Sequence, residues 1–207
     1  MTLQNKIDGE IFQNTLKILK KLINFKTVSG KSNLELINYC ESELKKSGAT
    51  SSKTFNKSKT QANLFSTIEG VNSSDKGIVL SGHTDVVPAI ASEWSSDPYI
   101  AREKDNKVFG RGTCDMKGFI ACTLAVAPLF ESKKLKTPIH FSYTFDEETG
   151  CLGAPLVLAD LKKKNLNFSA CIIGEPTNMK PIIAHKGYNE YVTHFTGLSG
   201  HASNPDD

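Results

Sequence analysis

Strand-like and helix-like segments alternate along most of this 207-residue chain, and that alternation restricts the folds it can adopt. Apolar segments typical of strands lie at 52–56, 63–68, 77–82, 138–145 and 169–173. Segments with helical periodicity lie at 11–27, 32–47, 117–131 and 151–164. The helix at 117–131 is too apolar for a surface helix, so we expect it to be buried. Together the segments predict an α/β fold in which a mostly parallel sheet is flanked by helices.

The last part of the chain has a different pattern. Strands are expected at 181–186 and 188–196, and the sequence provides no obvious helix or partner strand after the second of them. We therefore expect a first domain over 1–182 and the opening of a second, truncated α+β domain over 183–207.

Composition and charge argue against several classes of partner. The net charge is +3, and the densest basic run, Lys162–Lys164, closes a predicted helix, where cations suit the helix dipole. No apolar run reaches the roughly 20 residues that span a bilayer, and the N-terminus lacks the pattern of a signal peptide. The five cysteines are scattered and form no CxxC pair. We expect a cytoplasmic protein with no nucleic-acid or membrane partner.

Histidine and acidic residues follow the predicted strands at the points where the strands end. His83 and Asp85 come directly after GIVLSG, residues 146–148 (Asp-Glu-Glu) follow PIHFSYTF, and Glu175 follows ACIIG. Asp115 stands just before the apolar helix at 117–131. Because ligands of open α/β sheets bind at the carboxyl ends of the strands, we expect these side chains to meet at one edge of the sheet.

One histidine with several carboxylates suits zinc or a related divalent ion that takes nitrogen and oxygen ligands. The set is large enough for two ions that share a carboxylate. Asp85, two residues after His83, is placed to accept the other ring N–H of that imidazole, which would fix its orientation.

Each acidic residue also has an ordinary structural explanation when taken singly. An aspartate before a helix is usually an N-cap, adjacent glutamates usually form a solvated turn, and Glu175 precedes a proline turn. Their joint occurrence at four strand or helix ends favours the metal site. The histidines within or beside strand patterns are expected to be structural, namely His140, His185 and His194.

Four segments resemble, in order and spacing, the metal-site segments of the M20 zinc aminoacylase and peptidase family. They are SGHTDVVP, GRGTCDMKGFIA, DEETGCLGA and GEPTNM. The resemblance implies a zinc-peptidase-like catalytic domain followed by a lid and dimerisation domain. It also implies a homodimer for the full-length protein, and a further histidine ligand of the second zinc beyond residue 207. The 207-residue chain alone would then have a weakened second metal site and little or no activity.

The resemblance also implies a role for each residue of the motifs. His83 and Glu175 would hold one zinc, Glu148 would hold the second, and Asp115 would bridge both; Co²⁺ is an alternative metal. Glu147 would be the general acid and base, and Asp85 the partner of His83. In this interpretation His201, in SGHAS, contacts the substrate.

The expected reaction is hydrolysis of an N-acyl amino acid. N2-acetyl-L-ornithine, a precursor in arginine synthesis, is the first choice of substrate. Succinyl-diaminopimelate or a dipeptide are alternatives within the family. An inactive metal-binding fragment is the alternative from another class, and Glu147 argues against it, because a structural metal site needs no unligated base.

Overall fold

The computed structural model describes residues 3–72, 76–133, 135–187, 189 and 191–203. The chain divides into two compact units, Met1–Pro176 and Thr177–Asp207. The first unit holds all of the helices and strands found among the described residues. Within those residues, no helix combines the length and the apolar character needed to cross a membrane.

Among its described residues, the first unit contains four α-helices, seven strands and a short 3-10 helix, Ala91–Glu93. The helices are α1 (Leu3–Asn24), α2 (Leu34–Lys46), α3 (Lys117–Ser132) and α4 (Ala154–Lys163). The strands are β1 (Thr50–Phe55), β2 (Ala62–Ile68), β3 (Gly77–His83), β4 (Arg102–Lys104), β5 (Lys107–Phe109), β6 (Ile139–Thr144) and β7 (Phe168–Ile173). Each helix and strand predicted before residue 176 is present, and all but one lie within a few residues of their expected ends. The exception is α1, which was expected at 11–27 and begins eight residues earlier, at Leu3. The β4–β5 hairpin is an addition.

The main sheet has five strands in the order β1-β2-β6-β3-β7. β3 lies between β6 and β7 and is parallel to both. β1 and β2 form an antiparallel hairpin, and β2 is also antiparallel to β6. The α/β class is therefore confirmed, but the sheet is mixed where a mostly parallel one was expected. The short turn between β1 and β2 explains the difference, because only an antiparallel pair can be joined without a crossover.

The two faces of the sheet bury different helices. Leu64 and Phe65 are neighbours on β2, so their side chains point to opposite faces. Leu64 belongs to the main core, which includes the buried sides of α1, α2 and α3. Phe65 packs with Val157 and Leu161 of α4. The apolar α3 contacts both α1 and β3, as a helix buried on more than one side should.

The strands predicted at 181–186 and 188–196 are not formed by the described residues there. Their alternating pattern lacks what stabilises a strand, because no pairing partner is found for it among the described residues. The predicted division at residue 182 stays a prediction, as do the lid and dimerisation roles of 183–207.

Candidate metal and catalytic site

Three side chains from three separate segments meet at one edge of the sheet. His83 ends β3, Asp115 precedes α3, and Glu175 follows β7. One ligand atom from each lies within 4.8 Å of the other two. The Nε2 atom of His83 is 2.9 Å from Oδ1 of Asp115 and 3.7 Å from Oε1 of Glu175. We call these three residues the ligand cluster.

His83 is the buried member of the ligand cluster, and hydrogen bonds fix its orientation. Its side chain is almost wholly buried, at 1% exposure. The Nδ1 atom lies 2.9 Å from the backbone carbonyl oxygen of Asp85, and the backbone N–H donates to Sδ of the buried Met116 at 3.2 Å. An Nδ1–H that donates to this carbonyl leaves Nε2 free to face the two carboxylates, which is the orientation that a metal ligand requires.

The electrostatics of the cluster favour a positive charge at His83. Burial lowers the pKa of the His83 imidazole, but the hydrogen bond and charge of Asp85 and the charge of Glu175 raise it to about 9. Burial raises the pKa of Glu175 to about 7, helped by the negative charges of Asp115 and Glu147 and opposed by His83. One imidazole nitrogen and two carboxylate oxygens in so negative a setting fit a divalent cation.

Asp85 contacts His83 through both its carbonyl and its carboxylate. The carboxylate lies 3.5 Å from Nδ1 of His83, longer than the contact that the Asp85 carbonyl makes with the same atom. The carboxylate also accepts hydrogen bonds from the backbone N–H groups of Glu147 at 3.0 Å and Glu148 at 3.2 Å. Burial would raise the pKa of Asp85, yet the hydrogen bonds from His83, Ser29 and Glu147 hold it below its usual value.

The three acids at the end of β6 have different surroundings. Asp146 is buried, with φ of 50°, and its Oδ1 accepts from Gln61 Nε2 at 2.7 Å and Gly30 N at 2.8 Å. Glu147 is 39% exposed, with Oε2 3.9 Å from Nε2 of His83. Burial and the charge of Asp115 raise the pKa of Glu148. Among the described residues, Glu148 is not a member of the ligand cluster.

His201 lies in the second unit, where it is exposed and its Nδ1 contacts Ser203 Oγ at 2.7 Å. Its expected contact with substrate stays a prediction.

Two polar residues beside the site were missed by the sequence analysis. Ser29 Oγ donates to Asp85 Oδ2 at 2.7 Å. Lys117 is fully buried, and its Nζ donates to the carbonyls of Leu22 and Phe25 at the end of α1. Burial lowers the pKa of Lys117 to about 7. A lysine at the start of an apolar helix is the signal that could have revealed the second of them.

The fold and this site define a class, an α/β domain whose sheet edge gathers side chains that could hold a divalent metal. Residues 79–194 match the model of Peptidase family M20/M25/M40, which is more than half of the chain. The chain therefore belongs to this family, and the resemblance seen in its sequence is confirmed.

Similar curated proteins include two acetylornithine deacetylases. Those of Edwardsiella ictaluri and Salmonella typhimurium are each 41% identical to this chain over 143 residues, or 69% of it. The matched part is 37% of the length of either relative.

Similar solved structures support the same fold. Human carnosine dipeptidase 1 matches with a TM-score of 0.68 and 21% identity, over 84% of this chain and 41% of that one. An M20 family metallo-carboxypeptidase from Sulfolobus solfataricus matches with a TM-score of 0.68 and 22% identity, over 77% and 37% of the two chains.

Proposed function

We propose that this chain supplies the metal-binding part of a metal-dependent amidohydrolase that converts N2-acetyl-L-ornithine to L-ornithine and acetate, as in arginine synthesis. Support for the substrate comes from the identity of 41% with the two acetylornithine deacetylases. Family membership supports the broader class of amide hydrolysis. A succinyl-diaminopimelate desuccinylase or a dipeptidase are the alternatives within that class.

The observation that carries this proposal is the ligand cluster. His83, Asp115 and Glu175 offer one nitrogen and two carboxylate oxygens within 4.8 Å of one another. This donor set suits Zn²⁺, with Co²⁺ as an alternative, and these three residues would hold the ion. When bound, the metal would polarise the acyl oxygen and lower the pKa of a water molecule toward 7.

Glu147 is the residue that we assign to proton transfer. Its carboxylate lies at the rim of the ligand cluster, 3.9 Å from His83 Nε2, and is open to solvent. A carboxylate near the ion but not used as a ligand can accept the proton of the attacking water and deliver it to the leaving amine. Asp85 would act through Glu147 and His83 by holding both in place.

The remaining assignments extend the same proposal. Glu148 would hold a second ion that Asp115 shares with the first, and His201 would contact the substrate. We further propose a cytoplasmic homodimer for the full-length protein, without nucleic-acid or membrane partners. Residues 1–182 would form the catalytic part and 183–207 the opening of the lid.

The test measures release of ornithine from N2-acetyl-L-ornithine by protein freed of metal with a chelator and reloaded with Zn²⁺. It is run on the 207-residue chain and on whatever longer protein its gene encodes. We expect turnover by the longer protein and little by the chain alone. Hydrolysis of succinyl-diaminopimelate but not of N2-acetyl-L-ornithine would make the first compound the proposed substrate. If no N-acyl amino acid is hydrolysed, the proposed amidohydrolase activity is refuted.

A second candidate is a metal-binding domain without catalysis. It is favoured by the absence of Glu148 from the three-ligand group, since the described residues assemble ligands for one ion only. Glu147→Gln separates the two candidates. In a hydrolase this change keeps the metal and lowers turnover by about 10²- to 10⁴-fold, the range for loss of a general base. In a purely metal-binding domain there is no turnover to lose.

A further inference from the structure

The segment between α1 and α2 lies beside the site. We call residues Thr27–Gly30 the strap. Thr27 Oγ1 donates to the carbonyl of Thr84 at 2.6 Å, and Val86 N donates to the carbonyl of Thr27 at 3.0 Å. Val28 forms a parallel bridge with Val86. The strap is therefore fixed against the residues that follow β3.

The residues that lead into the strap are fixed by Lys117. The Nζ atom of Lys117 donates to the carbonyls of Leu22 at 3.1 Å and Phe25 at 2.7 Å, which end α1. Lys117 is the first residue of α3, two positions after Asp115. Both carbonyls also accept a backbone N–H, Leu22 from Phe25 at 3.2 Å and Phe25 from Thr27 at 2.9 Å, so the Lys117 amine is a second donor to each. The strap is thus connected to two of the segments that supply the ligand cluster.

Two hydrogen bonds leave the strap toward the acids of the site. Ser29 Oγ donates to Asp85 Oδ2 at 2.7 Å, and Gly30 N donates to Asp146 Oδ1 at 2.8 Å. Asp85 Oδ2 also accepts from the backbone N–H of Glu148, while Oδ1 accepts from that of Glu147. A carboxylate that accepts a hydroxyl and an amide at one oxygen and a second amide at the other has its orientation set by all three donors.

We propose that Ser29 is a positioning residue, which orients the Asp85 carboxylate and through it places Glu147 and Glu148 relative to the ligand cluster. The roles of those two glutamates rest on the proposed function, but the hydrogen-bonded chain from Ser29 to their amides does not. Serine is suited to this position because its hydroxyl reaches Asp85 while its own N–H donates to the Val86 carbonyl at 3.2 Å.

The experiment compares Ser29→Ala with Ser29→Thr, which keeps the hydroxyl, and with the matched control Ser51→Ala. Ser51 is half-buried on β1 and also makes one side-chain hydrogen bond, to Ser66 at 2.8 Å. β1 lies at the edge of the sheet, and two strands, β2 and β6, separate it from β3. The first readout is the pair of backbone amide resonances of Glu147 and Glu148 in the 22.6 kDa chain. The second is the affinity for Co²⁺ alone, measured by titration of its visible absorption.

In Ser29→Ala we expect both amide resonances to move. We also expect the Co²⁺ affinity to fall by about 10-fold, the lower end for groups that support metal ligands from outside, because Asp85 also contacts Nδ1 of the ligand His83. Ser29→Thr should restore both, and Ser51→Ala should change neither. If Ser29→Ala does not fold, Ser29→Cys, with its similar size and weaker donor, gives the same readouts.

Unmoved amides in Ser29→Ala would overturn the proposal. A shift of both amide resonances with an unchanged Co²⁺ affinity would also overturn it, because the orientation of Asp85 would then have no effect on the ligand cluster. If the unmodified chain binds no Co²⁺, that result refutes the proposed function. The amide shifts still decide whether Ser29 positions Glu147 and Glu148.

Discussion

Two sets of acidic residues share one edge of the sheet, and they differ in almost every physical respect. Asp85 and Asp146 are 2% and 5% exposed, and their carboxylates accept several hydrogen bonds each. Asp115, Glu147 and Glu175 have side chains 38 to 47% exposed and lie close to the one imidazole of the edge. The first set, which we call the frame acids, is held by hydrogen-bond donors of the protein. The second has capacity left for a cation or a proton.

The pKa directions follow this division. Hydrogen bonds to its charged form keep the pKa of Asp85 low despite burial. Burial and neighbouring negative charges raise the pKa of Glu148, and raise that of Glu175 to about 7. Carboxylates with many donors stabilise a fold, whereas carboxylates that repel one another are tolerated where an ion neutralises them. Adjacent residues in the sequence can therefore have unrelated tasks.

The largest expected effect comes from removing a ligand. Glu175→Gln should lower the affinity for Zn²⁺ by about 100-fold or more, since even groups behind the ligands typically contribute 10- to 100-fold. The stability of the metal-free chain should change by less than about 0.5 kcal/mol, as for a half-exposed side chain. A competition titration with a coloured chelator and a urea unfolding curve measure the two quantities. If Glu175→Gln lowered the stability as much as substitution of a frame acid does, the division between the two sets of acids would be wrong.

The opposite behaviour is expected of a frame acid. Asp146→Ala should lower the free energy of unfolding by about 2 to 3 kcal/mol, because it strands the buried Gln61 amide and places alanine at a left-handed φ. Urea unfolding with an unchanged slope measures it. Glu147→Ala, the next residue, is the matched control, with a change of less than about 0.5 kcal/mol. Equal losses in both variants would contradict the division.

The pH dependence of metal binding tests the raised pKa values of the cluster. His83, with a pKa of about 9, and Glu175, with a pKa of about 7, must both lose a proton before they bind an ion. The Zn²⁺ affinity should therefore rise with pH, by about tenfold per unit between pH 7 and 9, where only His83 is protonated, and more steeply below pH 7. Calorimetric titration in buffers of different ionisation enthalpy also counts the released protons. A flat profile would mean that the cluster is not the metal site.

The smallest effect is expected at Glu147. Glu147→Gln should leave the Zn²⁺ affinity within about twofold of the unmodified chain, because a residue assigned to proton transfer is not a ligand. The same titration measures it, with Glu175→Gln as the positive control. A loss as large as that of Glu175→Gln would move Glu147 from the proton-transfer role into the metal shell.

Much of this arrangement was predictable from the sequence because it depends on strand ends. The carboxyl ends of parallel strands meet at one edge, so His83 and Glu175 could be expected there without coordinates, and Asp115 was expected to reach the same edge from the start of the apolar helix. The family could be identified for the same reason, since its motifs are these strand ends. The identity and number of the metal ions and the roles of the site residues, Glu148 and His201 among them, stay predictions.

The rest depends on contacts between distant residues that no local pattern encodes. Ser29 is 56 positions from Asp85, and its partner is selected by the path of the strap. The direction of β2 was missed because apolar alternation gives the faces of a strand but not the orientation of its neighbour. The strands expected at 181–186 and 188–196 show that alternation without a partner is not sufficient for a strand.

The antiparallel direction of β2 has a consequence for how sequence change is tolerated. It brings the start of β2 to the edge where β6 ends, so that Gln61 contacts Asp146 and Asn63 donates to the Gly153 carbonyl. The tip of the β1–β2 hairpin, residues 57–60, is exposed, whereas Gln61 is buried. The border between sequence that can accept an insertion or a spectroscopic label and sequence that supports the acids therefore falls between Thr60 and Gln61. A label at Ser58 would therefore lie near the site without disturbing the hydrogen bonds of its acids.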